Sequence, residues 1–181
     1  MSHFSALINK RESTRAYKST PVEEIKLARC LEAARLAPSA SNSQPWTFIV
    51  VNEPQLKQQV AQATFSKTVS FNKFTLESPI IIAVVTERSK IMAQMGNFLK
   101  KQQYNLIDIG IATEHFCLQA AEDGLGTCIM GWFDEKKIKS LLNVPKNKRI
   151  NIVISLGYPA DEDIREKIRK PLNQIVRYNS Y

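Results

Sequence analysis

Pro38-Ser39-Ala40-Ser41-Asn42-Ser43-Gln44-Pro45-Trp46 places six small or amide residues between two prolines, and a strand-like run, Trp46 to Val51, follows at once. A plain connection between a helix and a strand is usually shorter and less distinctive. The stretch therefore reads either as such a connection or as a loop that wraps a polar ligand. In the second reading Asn42 and Gln44 meet ring amides and carbonyls, because an amide side chain both donates and accepts.

On the N-terminal side the spacing predicts a helix. Thr20 is placed as N-cap, Pro21 at the first helical position and Glu23 as the capping-box acid. Leu27, Leu31 and Ala34 recur at helical spacing with Ala28 on the same face, and Pro38 ends the run. A short helix over Phe4 to Asn9 precedes it.

On the C-terminal side Pro54 opens a helix to about Ala63, and Phe65 to Glu77 reads as loop with a possible short helix. Pro79 to Thr86 is an unbroken β-branched run, the pattern of a strand covered on both faces. Arg88 to Gln103 is polar and partly helical. Asn105 to Asp123 carries Ile107, Ile111, Leu118 and Ala121 near helical spacing, is apolar on several sides and is stopped by Gly124 and Gly126.

A strand over Thr127 to Trp132 follows, then a small basic helix capped by Asp134. Ile150 to Gly157 alternates through Ile152, Ile154 and Leu156, and Leu172 to Val176 regains strand character. There is no regular βαβ cadence and no GxGxxG after the first strand, so a Rossmann half is not expected. The pattern predicts an α+β fold, one domain over residues 1–181, with a central mixed β-sheet flanked by helices.

Composition narrows the function. The chain has 181 residues, 44% hydrophobic and 23% charged, near the average of a globular protein. Its longest apolar run, Ile80 to Val85, is far below the roughly 20 residues of a membrane helix. MSHFSALINK is too short and polar for a signal peptide, so a soluble, cytoplasmic protein without a membrane partner is expected. Cys30, Cys117 and Cys128 are odd in number and widely spaced, and only His3 and His115 are histidines; neither a disulfide framework nor a metal centre is expected.

The net charge of +8 calls for an anion. A basic nucleic-acid-binding protein is one reading, but there is no RNA-binding strand motif, zinc finger or long basic helix to support it. The other reading starts at Arg11-Glu12-Ser13-Thr14-Arg15. In an extended segment alternate residues share a side, so two guanidinium forks and a hydroxyl can converge on one phosphate. Alone, the same residues are more simply a polar loop paired with Glu12. Lys167 and Arg169 alternate likewise, in a run that otherwise reads as a solvated charged face. Within Gly126 to Trp132, Gly131 allows close backbone approach to a planar ligand, while Cys128 reads as a buried small hydrophobe.

Taken in order, these features resemble the nitroreductase family of flavin mononucleotide (FMN) enzymes. The resemblance is carried by Arg11, Ser13 and Arg15, by Pro38 to Trp46, by Asp108-Ile109-Gly110-Ile111-Ala112, by the Gly124-Leu125-Gly126 turn and by Arg169-Lys170-Pro171-Leu172. It implies a nitroreductase-like fold and a homodimer with FMN at the interface, the C-terminal strand near Asn173 to Tyr178 being exchanged between subunits.

It also implies roles for individual residues. Arg11, Ser13, Arg15, Lys167 and Arg169 hold the phosphate and ribityl end. Pro38, Ser39 and Ala40 of the partner cover the ring edge, Asn42 and Gln44 belong to the same motif, and the backbone at Met130 and Gly131 donates toward the reactive nitrogen. Asn72 falls where the family often supplies an Asn to the ring. NADH or NADPH is the implied co-substrate and a nitroaromatic, quinone or similar small-molecule electron acceptor the implied oxidant, by ping-pong hydride transfer with no catalytic side chain. A flavin-binding redox protein without such turnover is the alternative. The 65–103 region shows no lid residues of the iodotyrosine deiodinases or flavin-cleaving enzymes, which points away from those reactions.

Overall fold

The computed structural model describes residues 2–88, 103–161 and 163–181. The expected partly helical segment at 88–103 falls almost wholly outside them. Four strands, β1 (Trp46–Val51), β2 (Ile80–Thr86), β3 (Gly126–Met130) and β4 (Arg149–Gly157), form one sheet in the order β1-β2-β4-β3. All three ladders are antiparallel. Among the described residues, the parallel component of the expected mixed sheet is limited to a bridge between Ser13 and Thr127.

β2 is buried from Ile80 to Val85 because both its faces are covered. Ile80, Ile82 and Val84 pack with Cys30 and Ala34 of α2 (Glu24–Arg35) and with Ile109, Phe116 and Ala120 of α4 (Tyr104–Glu122). Ile81, Ala83 and Val85 pack on the other side with Val60 and Ala61 of α3 (Pro54–Gln62), with Phe74, and with Ile138 of α5 (Glu135–Leu141). The period of two thus divides one strand between two core layers. β4 follows the same rule up to a register shift opposite Val84 and Val85. There Asn151 is the extra residue, so that Ile150 and Val153 share a layer.

Helix ends follow local chemistry. Glu53 accepts from the amides of Gln55 (2.9 Å) and Leu56 (2.6 Å) ahead of Pro54, and Asp134 accepts from Lys137 N–H at 3.0 Å. Gly124 ends α4 with φ +76°, a left-handed cap that suits glycine. The Thr20-Pro21 start signal is overridden, since α2 begins at Glu24. Glu23 does not cap it with its side chain; its carboxylate instead accepts from Tyr158 Oη at 2.6 Å.

The expected face of α2 holds for Leu27, Leu31 and Ala34, which pack in the core, but not for Ala28, and that of α4 is rotated. On α2 Cys30 is buried and Ala28 exposed, and on α4 Ile107 is 47% exposed while Phe116, Cys117 and Ala120 are buried. Both helices carry apolar residues on more than one side, so contact with the sheet decides which stripe turns inward. The tail departs further: Leu172–Ile175 is a single helical turn, α6, and not a strand. No described strand pairs with it, and it closes on itself through Val176 N–H to Leu172 O at 3.0 Å.

Candidate functional site

After α1 (His3–Lys10) the chain runs extended beside β3. Ser13 bridges to Thr127, Thr14 N–H donates to Thr127 O at 2.9 Å, and Lys18 N–H donates to Tyr158 O at 2.9 Å. Thr14 and Tyr17 point inward. The Tyr17 hydroxyl is shared between Thr14 O (3.0 Å) and Ser155 Oγ (2.7 Å), and burial raises its pKa well above the ordinary tyrosine range. Thr14 presses on Gly126 so closely that a Cβ there would lie 2.3 Å from Thr14 Oγ1. This contact requires glycine at the start of β3. Ser13 and Arg15, either side of the buried Thr14, remain accessible.

The segment after Asp163 folds back over this loop. Arg165 N–H and Nε donate to Glu12 Oε2 at 3.1 and 3.2 Å, the Arg165 guanidinium also donates to Ser13 O, and Lys167 Nζ donates to Asn9 O. Between the two segments lies a cleft of about 310 Å³, lined by Arg11, Ser13, Arg15, Lys167 and Arg169 together with Glu12, Arg165, Glu166 and Ile168. Five of the twelve expected site residues therefore meet in one place, from opposite ends of the chain. The Lys167 ammonium is held below the ordinary lysine range by burial first, and then by neighbouring Arg11, Arg169 and Arg165. An additional anion would relieve that repulsion. Two cations have nearby acids, Arg11 with Glu114 at 3.5 Å and Arg165 with Glu12.

Arg165 was not among the expected residues. The alternation that singled out Lys167 and Arg169 reaches it when extended by one more step of two.

The 38–44 loop lies elsewhere. Ser39 Oγ accepts from Gln44 N–H at 2.9 Å, Gln44 Nε2 donates to Asn42 Oδ1 at 2.9 Å, and Ala40 N–H donates to Asp108 Oδ1 at 3.1 Å. Ser41, Asn42 and Gln44 have φ of 53°, 48° and 47°, a left-handed run without glycine. Pro38 is exposed and Pro45 buried. Among the described residues no hydrogen bond of this loop reaches the cationic cleft. Asn42 and Gln44 are tied to each other within a single chain.

At the end of β3, Met130 is buried in the core and Gly131 is exposed. A Cβ at Gly131 would meet nothing within 4 Å, so no protein neighbour demands glycine there. Asn72 is buried and donates through Nδ2 to Thr64 O (3.1 Å) and Trp132 O (3.0 Å). Its amide hydrogens hold the turn after β3. Burial pushes the Cys30 and Cys117 thiols up to about 12 and raises Cys128, leaving none of them a ready nucleophile.

A basic two-segment cleft on an α+β fold with helices on both faces of one sheet can be set beside known proteins. Residues 8–158 match the model of the Nitroreductase family. The chain belongs to the nitroreductase family. A putative NADH dehydrogenase/NAD(P)H nitroreductase of Archaeoglobus fulgidus is 31% identical, over 86% of this chain and 85% of its own. An iodotyrosine deiodinase of Thermotoga neapolitana is 28% identical, over 97% of both chains. The solved FMN-dependent nitroreductase of Clostridium difficile superposes with a TM-score of 0.78 at 27% identity, covering 97% of this chain and 98% of that one. This nitroreductase-family chain is thus an oxidoreductase with the family's α+β fold.

Proposed function

We propose that the protein is an FMN-dependent oxidoreductase that uses NADH or NADPH to reduce a small electron-poor acceptor such as a nitroaromatic or a quinone. The observation that carries this reading is the meeting of Arg11, Ser13, Arg15, Lys167 and Arg169 in one cleft. A terminal phosphate fits there: guanidinium forks and a hydroxyl supply donors, and the Lys167 ammonium lines the cleft beside Arg11, Arg165 and Arg169.

When bound, FMN supplies the redox chemistry, taking hydride from the nicotinamide and passing it to the acceptor. The chain's residues bind and orient. The cleft would hold the phosphate end, the Pro38-Ser39-Ala40 segment of the partner subunit would cover the ring edge, with Asn42 and Gln44 in the same loop, and the Met130–Gly131 backbone would offer donors to the reactive edge. No side chain serves as acid, base or nucleophile in this scheme.

The functional unit is a homodimer, one domain per chain over residues 1–181, in the cytoplasm. Phe4 and Ile8 on α1, Leu106 and Ile107 on α4, and Leu172, Ile175 and Tyr178 in the tail are exposed apolar side chains that support association with a second copy. Exchange of the tail between subunits would bring it to a sheet edge. No described helix is long and apolar enough to cross a membrane. The cluster of cations around one cleft, rather than along a helix or strand face, favours a small phosphorylated ligand over a nucleic acid.

The purified protein is expected to be yellow. A colourless preparation that also takes up no added FMN would reject the proposal. Steady-state oxidation of NADH and NADPH against a nitroaromatic, a quinone and an iodotyrosine then sorts the acceptors. Bound, reducible FMN without turnover on any of them would instead mark a flavin-binding redox protein.

A further inference from the structure

Asp108 lies near the start of α4, only 3% exposed. Its Oδ1 accepts the Ala40 amide at 3.1 Å, while Oδ2 is buried without a hydrogen-bond partner. In the loop it touches, the Ser43 hydroxyl is also buried without one. A carboxyl oxygen shut away from water and given no donor destabilises a fold. For stability alone an apolar or amide side chain would serve better at this position.

The loop on the other end of that bond has an unusual backbone. Ser41, Asn42 and Gln44 all adopt left-handed φ without being glycine, a conformation that persists only where the surroundings over-determine it. Its restraints through Ser39 Oγ and Gln44 Nε2 are internal. Among the described residues, the bond from Ala40 N–H to Asp108 is the polar tie between residues 39–44 and a helix of the core.

We propose that Asp108 is the positioning residue of the 39–44 loop, giving up fold stability to fix the Ala40 amide and thereby setting how tightly the loop covers bound flavin. The inference rests on the FMN reading above and names a residue that acts through the loop, not on the ligand.

The test uses the full-length chain. Asp108→Ala removes the acceptor and is expected to weaken FMN retention on dilution by about tenfold, the scale of one lost hydrogen bond. Asp108→Asn keeps an oxygen for Ala40 N–H and is expected to retain FMN nearly as well as the wild type. Ala40→Pro removes the donor instead, and Ser39, with ψ of 154°, already has the extended backbone that precedes a proline. The double variant Asp108→Ala/Ala40→Pro is expected to lose no more than either single one, because both delete the same bond.

Urea unfolding of the flavin-free chain supplies the readout that a structural role would not give. Asp108→Ala is expected to leave the midpoint unchanged or raise it, so affinity and stability move apart. Losses that add in the double variant, wild-type retention in both single variants, or a lowered midpoint in flavin-free Asp108→Ala would overturn the proposal. Amide exchange at Ala40 is independent of flavin and is expected to speed up in Asp108→Ala. Unchanged exchange sinks the positioning role even if FMN binds, whereas faster exchange in a chain that takes up no FMN leaves only the FMN reading at fault.

Discussion

The Arg165 guanidinium donates to the backbone carbonyl of Ser13, 152 positions earlier in the chain, and its Nε meets the Glu12 carboxylate at 3.2 Å. This contact fastens the two walls of the cationic cleft to each other. Arg165→Ala is expected to loosen FMN by about three- to fivefold, since the Arg165 side chain is more than half exposed and such surface pairs contribute at most about 1 kcal/mol. Arg165→Lys, which keeps the charge and loses the fork, should fall between. Fluorescence titration measures both, and wild-type affinity in Arg165→Ala would show that the clasp is dispensable.

Arg11 and Arg169 face the cleft from its two segments. Replacing either with Ala should reduce FMN affinity by about 1.5–3 kcal/mol, the usual loss for a hydrogen bond to a charged group. Riboflavin, which has no phosphate, should bind these variants as it binds the wild type. An equal loss for both ligands would move the arginines away from the phosphate.

Lys167 has its pKa lowered in the folded chain by burial and then by Arg11. Between that lowered value and the ordinary lysine value the unfolded chain holds more protons than the folded one, so stability of the flavin-free protein should rise with pH across this window. FMN affinity should fall over the same window as the ammonium loses its proton. Urea midpoints and FMN titrations from neutral to alkaline pH give the two slopes. Lys167→Met should flatten both, and slopes that survive the substitution would assign the titration to another group.

Gly126 has no room for a side chain, because Thr14 Oγ1, Cβ and Cγ2 would lie 2.3, 2.7 and 2.8 Å from a new Cβ. Gly126→Ala should destabilise the fold by about 1–3 kcal/mol, as overpacking does. It should also weaken FMN, since displacing Thr14 shifts Ser13 and Arg15. Thr14→Gly clears all three atoms and should restore part of the affinity in the double variant. If Gly126→Ala unfolds at the wild-type urea concentration, the contact is softer than its distances imply.

What could be read from the residues divides along physical lines. The unbroken Ile80 to Val85 run, the Asp134 cap and the Gly124 stop are local signals, and the structure follows them. The start of α2 was misplaced because Glu23 is engaged by Tyr158, 135 positions away, which no local pattern records. The face of α4 is only partly legible because that helix is apolar on several sides, whereas Leu27, Leu31 and Ala34 of α2 pack in the core as their spacing predicts.

In the site, alternation alone was enough to pair Lys167 with Arg169, and it stopped one step short of Arg165. Asn72 stands out for its place in the family pattern, and its Nδ2 donates to the Thr64 and Trp132 carbonyls, contacts that no local pattern records. Asp108 was visible only as part of a family-like helix, since burial of one carboxyl oxygen has no trace in spacing.

The strand order has a consequence for synthesis. β4 is the last of the described strands to leave the ribosome, yet it sits between β2 and β3. Until it inserts, β3 has no neighbour in the sheet, and the Ser13 bridge to Thr127 has no rigid support. A nascent chain therefore carries most of its basic N-terminal loop long before that loop has a fixed shape. Long-range pairing of this kind is slow to form. Cofactor capture should thus follow the insertion of β4, and the exposed β-branched run of β2 is the segment a chaperone would have to shield in the meantime.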